Sequence, residues 1–455
     1  MTSNGVTSNA VTSNGVTSNA VTSNGVRAYD VAIVGMGPTG ATLANLCGLY
    51  GLRTIIYERS MAPYSQPRAC HLDAEIARVF QQCGMEADLD DLLTVSAGME
   101  YVDRDGQRLF TFEGFERHPL LGWHEDYVFL QPELEAALRR RLSERDHVEI
   151  RQGTPAPSLE EMLEQAAFVV ACDGGGSQLR EQLGIGLRDL GYDEQWLVVD
   201  VMLHREPSPP LPTIIQQVCD SARLATFVPS HGAHRRWEFQ LAPAEQPDPW
   251  RLLAPWGVTP DHGDLVRAVP YRFHALVAER WRGGPDGRVL LAGDAAHMMP
   301  PFMGQGMCSG VRDAANLAWK LAAVVTGQAP ADLLDSYEGE RADHTAAVID
   351  MSVQAGQTLA RLAADPHDVP QPSVPDPQRW SRIPGLALGG EFPVGHLLPQ
   401  PDRLDDRLPP GWVWVAGDAN FRSADGLPVV VEPRATYGEL AVLVRPDRYI
   451  AAALS

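Results

Sequence analysis

The order of apolar and polar positions changes between strand and helix spacing where the globular part of the chain begins. Tyr29–Val34 is a short apolar run that predicts a buried strand, and Thr54–Tyr57 predicts a second one. Between them, Thr39–Tyr50 has helical spacing and ends at Gly51. This strand–helix–strand opening predicts an α/β protein that starts with a doubly wound, Rossmann-like domain.

Further elements along the chain are predicted from the same spacing. They are a helix at Leu130–Glu144, a strand at Phe168–Ala171, a β-rich segment with strands at 196–202 and 224–242, a strand at Val289–Ala292, and a long helix at about 306–326. Pro-rich breaks lie at 207–212 and 243–260, and a Pro- and Asp-rich linker is predicted at 366–384. Beyond the linker, a small α/β unit is predicted from strands at Trp412–Ala416, Val429–Val431 and Leu440–Val444.

The start of the chain has a different pattern. Residues 2–26 repeat a five-residue unit, TSNGV alternating with TSNAV. Each unit has polar turn-forming residues and a single Val, so it cannot bury an apolar face. We therefore predict that residues 1–26 are a disordered low-complexity segment outside the fold.

Composition and charge narrow the class of protein. The 455 residues suffice for two or three domains, and 44% of them are apolar. The formal net charge of −21, from 58 acidic and 37 basic side chains, argues against nucleic acid as a partner, since such a surface repels phosphates. No uncharged apolar run reaches the roughly 20 residues that span a bilayer, and the start lacks the features of a signal peptide. We expect a cytoplasmic protein that binds no membrane.

The six cysteines lie far apart, without a CxxC pair or a His–Cys cluster at metal-ligand spacing. We expect buried, reduced thiols and no metal site. Because no cysteine follows Cys308, the C-terminal unit is not expected to carry thiol redox chemistry.

A glycine-rich turn joins the first predicted strand to the first helix. Gly35, Gly37 and Gly40 form a GxGxxG motif, with Pro38 and Thr39 between the last two glycines. In such a motif the first Gly allows a tight turn, the second lets the backbone approach a pyrophosphate, and the third lets helix and strand pack closely. The helix N-terminus then presents free N–H groups to the phosphates.

An acidic residue follows at the distance expected for a dinucleotide site. Glu58 comes directly after the second predicted strand, 18 residues after Gly40. An acid at this position holds the hydroxyl groups of the adenosine ribose. Since an Arg would be expected for a ribose phosphate, Glu58 favours FAD or NAD over NADP at this site.

Three segments further along resemble the group A flavoprotein aromatic hydroxylases, the family of 4-hydroxybenzoate, phenol and 3-(3-hydroxyphenyl)propionate hydroxylases. They are CDGGGS at 172–177 with Arg180, GDAAH at 293–297, and a run over 300–321 that contains PPFMGQGM and DAANLAWKL. The resemblance extends over about residues 29–350. LVRPDRYI at 443–450 is similar to the end of the propionate-hydroxylase branch, so that branch and the polyketide hydroxylases are the nearest part of the family.

The resemblance implies a non-covalently bound FAD and assigns residues to it. Asp173 is similar to the family's residue beside the pyrophosphate, and Asp294 to the residue that holds the ribityl chain. Gly304 and Gly306 would let the backbone approach the flat flavin ring, beside a helix N-terminus that stabilises negative charge on the reduced ring. Together, the motif and the resemblance imply these cofactor-binding residues: Gly35, Gly37, Pro38, Thr39, Gly40, Glu58, Arg59, Arg68, Gln131, Asp173, Gly293, Asp294, Pro301, Gly304, Gly306 and Met307.

Three members of this set have a second interpretation. Arg59 lies beside Glu58 and is compatible with an adenosine contact or with a surface position. Arg68, in the Pro67-Arg68-Ala69 loop, is similar to the family's Arg near the flavin, and Gln131 to a polar FAD contact. Arg68 is equally compatible with a surface position, and Gln131 with the start of an ordinary helix.

The resemblance also implies a reaction. NAD(P)H, as a transient co-substrate, would reduce FAD, and O2 would then form a flavin hydroperoxide that hydroxylates an aromatic substrate, phenolic or polyketide. No second strand-borne GxGxxG occurs, which is consistent with brief nicotinamide docking. No catalytic residue is assigned. A base that deprotonates a phenol would help, and His71, Tyr127, His231 and His234 are candidates, each with a structural role as the alternative.

The chain is predicted to have an FAD-binding domain at 27–185 and 270–350, an inserted β-rich substrate domain at 186–269, and a thioredoxin-like C-terminal unit at 385–455. An Arg within HRRWEF at 234–239 is compatible with a substrate carboxylate contact or with a solvated strand edge. Aromatic residues of the substrate segment suit either an apolar pocket or core packing: Trp196, Phe227, Trp237, Phe239, Trp250 and Trp256.

Two stretches are shorter than the family pattern implies. About 17 residues separate Ile150 from Phe168, where the family carries a β-meander, and 203–260 is also short. We expect a more open active site, or one that a partner subunit closes in a homodimer.

Other functions fit the same motifs. An FAD-dependent oxygenase could insert oxygen into a C–C bond, epoxidise, or remove a substituent during hydroxylation, because pocket shape rather than the motifs separates these reactions. From another class, a non-catalytic FAD-binding scaffold or sensor would retain the cofactor site alone. The intact run at 293–307 favours the enzyme.

Overall fold

The computed structural model describes residues 27–113, 121–368, 385–432, 435 and 440–454. The predicted repeat at 1–26 and residues 369–384 of the predicted linker lie outside this part of the chain. Within it there are four β-sheets and nine α-helices. The helices are α1 (Pro38–Leu49), α2 (Ala74–Gln82), α3 (Glu86–Leu92), α4 (Gln131–Ser143), α5 (Leu159–Gln165), α6 (Gln178–Gln182), α7 (Pro249–Leu253), α8 (Gln305–Val325) and α9 (Asp335–Ala364).

A six-stranded sheet forms the centre of the first unit. Its strands are β1 (Tyr29–Val34), β2 (Thr54–Glu58), β8 (Val148–Gln152), β9 (Ala166–Ala171), β15 (Arg282–Gly283) and β16 (Val289–Leu291), in the order β15-β16-β9-β1-β2-β8. All neighbours are parallel except β15 and β16. β1 has the predicted bounds, and α1, β2, β9 and α4 lie where helices and strands were predicted. The doubly wound opening is therefore confirmed.

Helix α1 is buried over Gly40–Cys47, because it lies between this sheet and helix α8. A helix enclosed in this way needs apolar residues on all sides, which is why α1 has no polar stripe. Its position directs the N-terminus of α1 toward the carboxyl ends of β1 and β9.

An eight-stranded sheet forms the second unit. Its strands are β5 (Gly98–Asp103), β6 (Arg108–Glu113), β10 (Leu187–Leu203), β11 (Ile215–Cys219), β12 (Ala225–Val228), β13 (His234–Gln240), β14 (Gly263–Ala278) and β17 (His297–Met298), in the order β17-β14-β10-β13-β12-β11-β5-β6. Only β11 and β5 are parallel among these pairs. The sheet includes β5 and β6, and β14 continues beyond residue 269; the domain bounds stay a prediction.

Two strand predictions in this sheet were inexact. The strand predicted at 196–202 is the second half of β10, which has 17 residues. The first half is mostly polar and largely accessible to solvent, so apolar spacing did not reveal it. The stretch 224–242 is divided into β12 and β13 by a turn in which Gly232 has φ +58°. In the short stretch between β8 and β9, the chain forms a loop and helix α5.

The two faces of the eight-stranded sheet differ, because side chains alternate along each strand. One face carries an apolar cluster formed by Leu197, Val199, Val201, Phe227, Trp237 and Phe239, packed against Leu253, Val258, Trp250 and Trp256. The opposite face carries buried charged residues, including Asp200 and Arg236, and is turned toward the six-stranded sheet.

Two smaller sheets complete the described fold. One has the order β3-β7-β4 from β3 (His71–Asp73), β4 (Leu93–Val95) and β7 (Asp126–Phe129). The other is the C-terminal sheet β19-β18-β20-β21, from β18 (Val413–Ala416), β19 (Val429–Val431), β20 (Ala441–Val444) and β21 (Ile450–Leu454). The first three of these C-terminal strands were predicted within one residue.

Buried polar contacts attach the C-terminal sheet region to helix α2. Arg78 donates to the Asp405 carboxylate at 2.7 Å and to the Leu398 carbonyl at 2.6 Å. The Tyr449 hydroxyl donates to Glu75 at 2.7 Å. Since these side chains are nearly inaccessible to solvent, the attachment is part of the protein core.

No helix in the described part of the chain combines the length and the apolar character that crossing a bilayer requires.

Candidate active site

A cavity of about 540 Å³ lies between the six-stranded and the eight-stranded sheets. On the first side it is bounded by residues that follow β1, β9 and β16, at the carboxyl ends of the parallel strands. Ligands of open α/β sheets bind at this edge. The cavity lies where the cofactor motifs and the β-rich segment meet, and we call it the active-site cavity.

The glycine-rich turn forms one end of the cavity. Gly35 has φ +98°, and a Cβ on it would overlap the Cys172 carbonyl, while a Cβ on Gly40 would overlap the Gly35 carbonyl. These two glycines therefore permit close packing of the backbone. Gly37 differs, since its φ is −71° and no atom lies within 4 Å of a Cβ built on it. Gly37, Pro38 and Thr39 line the cavity.

Glu58 supports this turn from β2. One carboxylate oxygen accepts a hydrogen bond from the Met36 N–H at 2.9 Å, and the other accepts from the Ser60 N–H at 2.8 Å. Glu58 is half-buried and Arg59 is exposed, and neither borders the active-site cavity. Their predicted contacts with an adenosine remain predictions.

The PPFMGQGM segment forms the middle of the same wall. Pro301, Gly304, Gly306 and Met307 all line the cavity. Gly304 has φ +64°, and a Cβ on it would overlap the His71 imidazole, so this position requires glycine. A Cβ on Gly306 would make only an ordinary contact with Met299, so that glycine is not required by the protein's own packing. The free space beside Gly306 leaves room for a flat ligand.

Two helix N-termini are directed at this cavity without a side-chain cap. Helix α1 begins after Gly37 and helix α8 after Gly304, and neither N-terminal residue provides a side-chain hydrogen bond to the first turn. The first N–H groups of a helix have no partner within the helix and carry partial positive charge. Each terminus is therefore suited to an anionic or electron-rich ligand group.

The GDAAH segment lies between these helices. A Cβ on Gly293, which has φ +62°, would overlap the Thr39 side chain, and the Gly293 N–H donates to Asp313 at 3.0 Å. Asp294 lines the cavity and is exposed to it. The protein that encloses the cavity still raises the pKa of this carboxyl, while the charges of His297 and Arg68 act in the opposite direction.

Asp173 lies just behind the cavity wall. One carboxylate oxygen accepts a weak hydrogen bond from the Leu179 N–H at 3.4 Å. The other is buried and has no hydrogen-bond partner among the described residues. Neighbouring Cys172 and Gly174 line the cavity, so Asp173 lies close to it without bordering it.

Gln131 and the loop of Arg68 form a connected pair. The buried Gln131 amide oxygen accepts from the N–H groups of Arg68 at 3.1 Å and Ala69 at 2.6 Å, and its amide nitrogen donates to Glu135 at 2.6 Å. The exposed Arg68 guanidinium lies 4.5 Å from the Tyr64 ring centroid. Gln131 and Arg68 both line the cavity, and Gln131 also holds the Arg68 loop in place.

The eight-stranded sheet provides the opposite wall, where a charged network was not expected. Arg236 is 2% exposed and donates to Asp200 at 2.8 Å and to the Pro67 carbonyl at 2.7 Å. Arg267 also donates to the Pro67 carbonyl. The interpretation of this segment as a solvated strand edge was wrong for Arg236, because β13 is a central strand with neighbours on both sides. The Arg68 loop is thus held from both walls.

One of the four candidate bases lines the cavity. His71 is hydrogen-bonded to Asp126 at 2.8 Å, and both residues border the cavity. Burial opposes a charge on His71, but the hydrogen bond and charge of Asp126 raise the pKa of this imidazole well above its ordinary value. The pair therefore forms a titratable group beside Gly304.

The other three candidates have partners away from the cavity. His234 is fully buried and hydrogen-bonded to Asp200 at 2.8 Å, and burial lowers the pKa of its imidazole. The Tyr127 hydroxyl accepts from the His124 N–H, and His231 is hydrogen-bonded to Thr94. None of the three borders the cavity.

The aromatic residues singled out in the sequence pack elsewhere. Phe227, Trp237, Phe239, Trp250 and Trp256 belong to the apolar cluster on the far face of the sheet, and Trp196 packs against Phe302. Other residues provide the apolar lining: Met99, Phe112, Val198, Ile215, Val228, Tyr271, Phe273, Met298, Met299, Phe302 and Met303. The core-packing alternative is therefore the one that the structure supports.

Sequence reasoning considered an Arg within residues 234–239 as a substrate contact, but it missed the other charged residues of this wall, Asp200, Glu238 and Arg267. A signal was present in residues 234–240, where polar and apolar residues alternate around Trp237 and Phe239. Such alternation in a central strand indicates that its polar face meets a cavity or a charged network rather than solvent.

The fold and this site define a class of protein, a two-sheet α/β protein with a dinucleotide-type cavity between its sheets. Residues 28–352 match the family described as FAD binding domain. The chain therefore belongs to this family and uses FAD, as the residues and motifs predicted.

Curated relatives support the same assignment over a larger part of the chain. The protein is 36% identical to the probable NADH-specific resorcinol 4-hydroxylase of Rhodococcus jostii (strain RHA1), over 86% of this chain and 79% of that protein. It is 35% identical to the 3-(3-hydroxy-phenyl)propionate/3-hydroxycinnamic acid hydroxylase of Burkholderia cenocepacia (strain HI2424), over 85% of this chain and 79% of that protein. The chain is an enzyme, an FAD-dependent monooxygenase of the aromatic hydroxylase type.

Solved structures share the fold. A ternary complex of aklavinone-11 hydroxylase with FAD and aklavinone superposes with a TM-score of 0.74 at 24% identity, covering 94% of this chain and 96% of that chain. The α/β architecture with two sheets facing one cavity is thus the fold of known hydroxylases.

The residues of this chain fit FAD. Gly37 leaves an open space at the N-terminus of α1 that a Cβ would fill, and a second uncapped helix, α8, faces the same cavity. The cavity extends from the N-terminus of α1 to the N-terminus of α8, as a ligand with both a pyrophosphate and a flat ring requires. The predicted residues that line the cavity therefore leave room for this cofactor, while their individual contacts with it remain predictions.

Proposed function

We propose that this enzyme hydroxylates a phenolic aromatic ring with O2 and a nicotinamide reductant, in the cavity between its two sheets. The observation that supports this most directly is that one cavity combines two uncapped helix N-termini on one wall with an apolar and charged sheet face on the other. A cofactor and a planar apolar substrate could occupy these two walls face to face.

Within this proposal, the first wall binds FAD. Gly37, Pro38 and Thr39 would contact the pyrophosphate, and Glu58 the adenosine ribose, with Arg59 beside it. Asp294 would hold the ribityl chain, and Pro301, Gly304, Gly306 and Met307 would border the flavin ring. Asp173, Gln131 and Arg68 would complete the site, while Gly35, Gly40 and Gly293 permit the close packing that keeps it in shape.

Bound FAD supplies the redox chemistry, which consists of accepting two electrons from a nicotinamide and activating O2 for transfer of one oxygen atom to the substrate. The protein's own contribution is to orient the substrate and exclude water. The N-terminus of α8 would stabilise negative charge at the edge of the ring that it faces. The apolar residues of the opposite wall would hold the substrate ring and keep water away from the reacting atoms.

The His71–Asp126 pair would accept the hydroxyl proton of the phenol. Both side chains border the cavity, and their 2.8 Å hydrogen bond fixes the orientation of the imidazole. Withdrawal of the hydroxyl proton makes the ring more electron-rich and thus more reactive toward an electrophilic oxygen. His71 lies against Gly304, which places this proton acceptor beside the proposed flavin position.

The names of the relatives indicate which substrates to test first. Resorcinol and 3-(3-hydroxyphenyl)propionate are both phenols, and the Rhodococcus relative is named as NADH-specific. Larger phenolic polyketides are a further class, since aklavinone is bound in a neighbour of the same fold. A phenol as substrate and NADH as the first reductant are therefore part of the proposal.

The test is anaerobic reduction of the purified FAD-loaded protein, followed by its flavin absorption, with NADH and then NADPH and with or without each phenol. We expect one class of phenol to accelerate bleaching, and the mass of the aerobic product to increase by one oxygen atom. Bleaching that no aromatic compound accelerates, with no oxygenated product, would contradict the proposal and favour a non-catalytic role.

A further inference from the structure

Glu238 occupies the middle of the sheet wall of the active-site cavity. It lies in the central strand β13, opposite Val198 of β10 and Thr226 of β12. Side-chain alternation places it on the same face as Arg236, two residues earlier. All four of these residues line the cavity, so Glu238 belongs to the surface that faces the cofactor wall.

Glu238 as a residue is only 7% exposed, and the part of it that remains open faces the cavity. Its carboxylate makes no hydrogen bond or ion pair with any of the residues that the structure describes. A buried carboxylate ordinarily has hydrogen-bond partners, because removing it from water is costly. A carboxylate that lines a cavity without such partners is therefore available to a ligand.

Two polar neighbours of Glu238, Thr226 and Arg236, have other hydrogen-bond partners. Thr226 donates its hydroxyl proton to the Gln217 amide oxygen at 2.7 Å. The Arg236 guanidinium donates to Asp200 and to the carbonyl groups of Pro67 and Arg68. Arg236 is thus occupied in holding the Arg68 loop, which argues against its use as a clamp for a substrate carboxylate.

The charges around Glu238 determine which ligand group it accepts. The pKa of Glu238 is raised, because burial and the charge of Asp200 outweigh the charges of Arg236 and Arg267, which lower it. A second carboxylate at this position would meet the negative charges of Glu238 and Asp200. The two nearby guanidinium groups already have partners, since Arg236 pairs with Asp200 at 2.8 Å and Arg267 lies 3.8 Å from Asp200 and donates to the Pro67 carbonyl. A neutral hydroxyl group would instead donate a hydrogen bond to the carboxylate.

We propose that Glu238 is a specificity-determining residue that accepts a hydrogen bond from a hydroxyl group of the substrate. It would be the second hydroxyl of a neutral, polyhydroxylated ring, since the first would lie at the His71–Asp126 pair. The enzyme would accordingly prefer such rings to phenols with a carboxylate at this position. This inference rests on the proposed function, because it uses the same cavity and substrate orientation.

Three small ligands test whether Glu238 accepts a hydrogen bond from a substrate hydroxyl group and disfavours a carboxylate. Resorcinol has two hydroxyl groups, 3-methoxyphenol replaces one donor by a group that cannot donate, and 3-(3-hydroxyphenyl)propionate carries a carboxylate. Their dissociation constants would be measured on the oxidised, FAD-loaded full-length protein from the change in flavin absorption, with titration calorimetry as a second readout. The variants are Glu238→Gln, which removes the charge, and Glu238→Met, which removes the acceptor.

We expect wild-type protein to bind resorcinol on the order of tenfold or more tightly than 3-methoxyphenol, as a hydrogen bond to a charged group implies. Glu238→Met should weaken resorcinol binding by a similar factor and leave 3-methoxyphenol within about threefold. Glu238→Gln should improve binding of the propionate, because a negative charge is removed from its surroundings.

Glu100→Gln is the matched control. Glu100 is a buried carboxylate of the same sheet, 8% exposed, but it does not line the cavity and has its own partners, Arg108 and Gln216. The three binding constants should not change in this variant. Flavin content and melting temperature would confirm that all variants fold. Both Glu238 variants should be as stable as wild-type protein, because the carboxylate that they remove has no protein partner.

Equal ratios of resorcinol to 3-methoxyphenol binding in wild-type protein and Glu238→Met would overturn the inference, as would failure of wild-type protein to bind any of the three ligands at millimolar concentration. Failure of this inference can be distinguished from failure of the proposed function. If resorcinol binds through Glu238 but NADH and O2 give no hydroxylated product, the proposed reaction is wrong and the specificity role stands.

Discussion

The Asp313 carboxylate, within helix α8, accepts a hydrogen bond of 3.0 Å from the backbone N–H of Gly293. The same carboxylate is hydrogen-bonded to His297 at 2.6 Å and accepts from Arg341 at 2.9 Å. One buried acid therefore connects the turn that carries Asp294 with the helix whose N-terminus lies at the cavity. This connection explains how residues of the GDAAH and PPFMGQGM segments keep one relative position.

Replacement of Asp313 should affect both stability and flavin retention. In Asp313→Asn, the buried Arg341 guanidinium loses its counterion and His297 loses a carboxylate hydrogen-bond partner, which is expected to lower the free energy of unfolding by about 3–5 kcal/mol. We also expect less FAD per protein after gel filtration, because the Gly293 turn is less firmly held. Asp350→Asn, at an exposed position in α9, is the control and should change stability by less than about 0.5 kcal/mol. Equal stability of the two variants would contradict this role.

Acid should destabilise the protein through the same residue. Burial would raise the pKa of Asp313, but the charges of His297 and Arg341 and its hydrogen bonds lower it to about 2. Since the pKa of an unfolded Asp is about 3.9, the ionised carboxylate stabilises the folded state above that pH. On the order of 2 kcal/mol should be lost as the pH falls from about 4 to 2. Urea denaturation at several pH values should show this slope in wild-type protein and a smaller one in Asp313→Asn.

Two substitutions in the glycine-rich turn should affect different properties, one the affinity for FAD and the other the stability of the fold. Gly37→Ala meets no atom and keeps an allowed φ, so the apoprotein should retain its melting temperature while FAD affinity falls about tenfold to a hundredfold. Gly35→Ala should destabilise the fold itself by about 1–3 kcal/mol or more, since its φ is +98° and the Cys172 carbonyl is in the way. Thermal unfolding of the apoproteins and FAD titration would measure both. Unaltered FAD binding by Gly37→Ala would argue against a pyrophosphate at this position.

The pH dependence of turnover tests the His71–Asp126 pair. His71 must be neutral to accept a proton, and Asp126 raises the pKa of this imidazole. In Asp126→Asn the pKa of His71 should fall toward its ordinary value of about 6.5, so the rise of kcat/KM with pH should move to lower pH. Initial rates of phenol-dependent NADH oxidation over pH 5–10 would show the shift. A profile that does not move would exclude His71 as the proton acceptor.

Attachment of the C-terminal sheet region depends on a buried ion pair. Arg78→Ala leaves the buried Asp405 carboxylate with Gln82 and a more distant Arg448, and should cost about 3–5 kcal/mol. Arg53→Ala removes an exposed ion pair with Asp30 and should cost no more than about 1 kcal/mol. Denaturant unfolding of both variants gives the comparison. Similar losses in the two would mean that the Arg78–Asp405 contact is not a core interaction.

The sequence by itself determined the elements whose signal is local. The strand β1, the helix α1 and the glycines between them follow from apolar spacing and from turns that only glycine can form, so their positions were predicted within a residue or two. The family and its cofactor followed from contiguous motifs at 35–40, 172–177 and 293–307, because their residues act through backbone conformation and adjacent helix N-termini.

Only the tertiary structure decided which distant residues meet. Arg236 and Glu238 face the cavity because β13 is a central strand whose alternate side chains point to opposite faces, a register that spacing within one segment does not reveal. For the same reason Trp237 and Phe239 turned out to be core residues, and His71 rather than His234 borders the cavity. Partners such as Asp126 and His71 are separated by 55 residues, and the pairing of β3 with β7 brings them together.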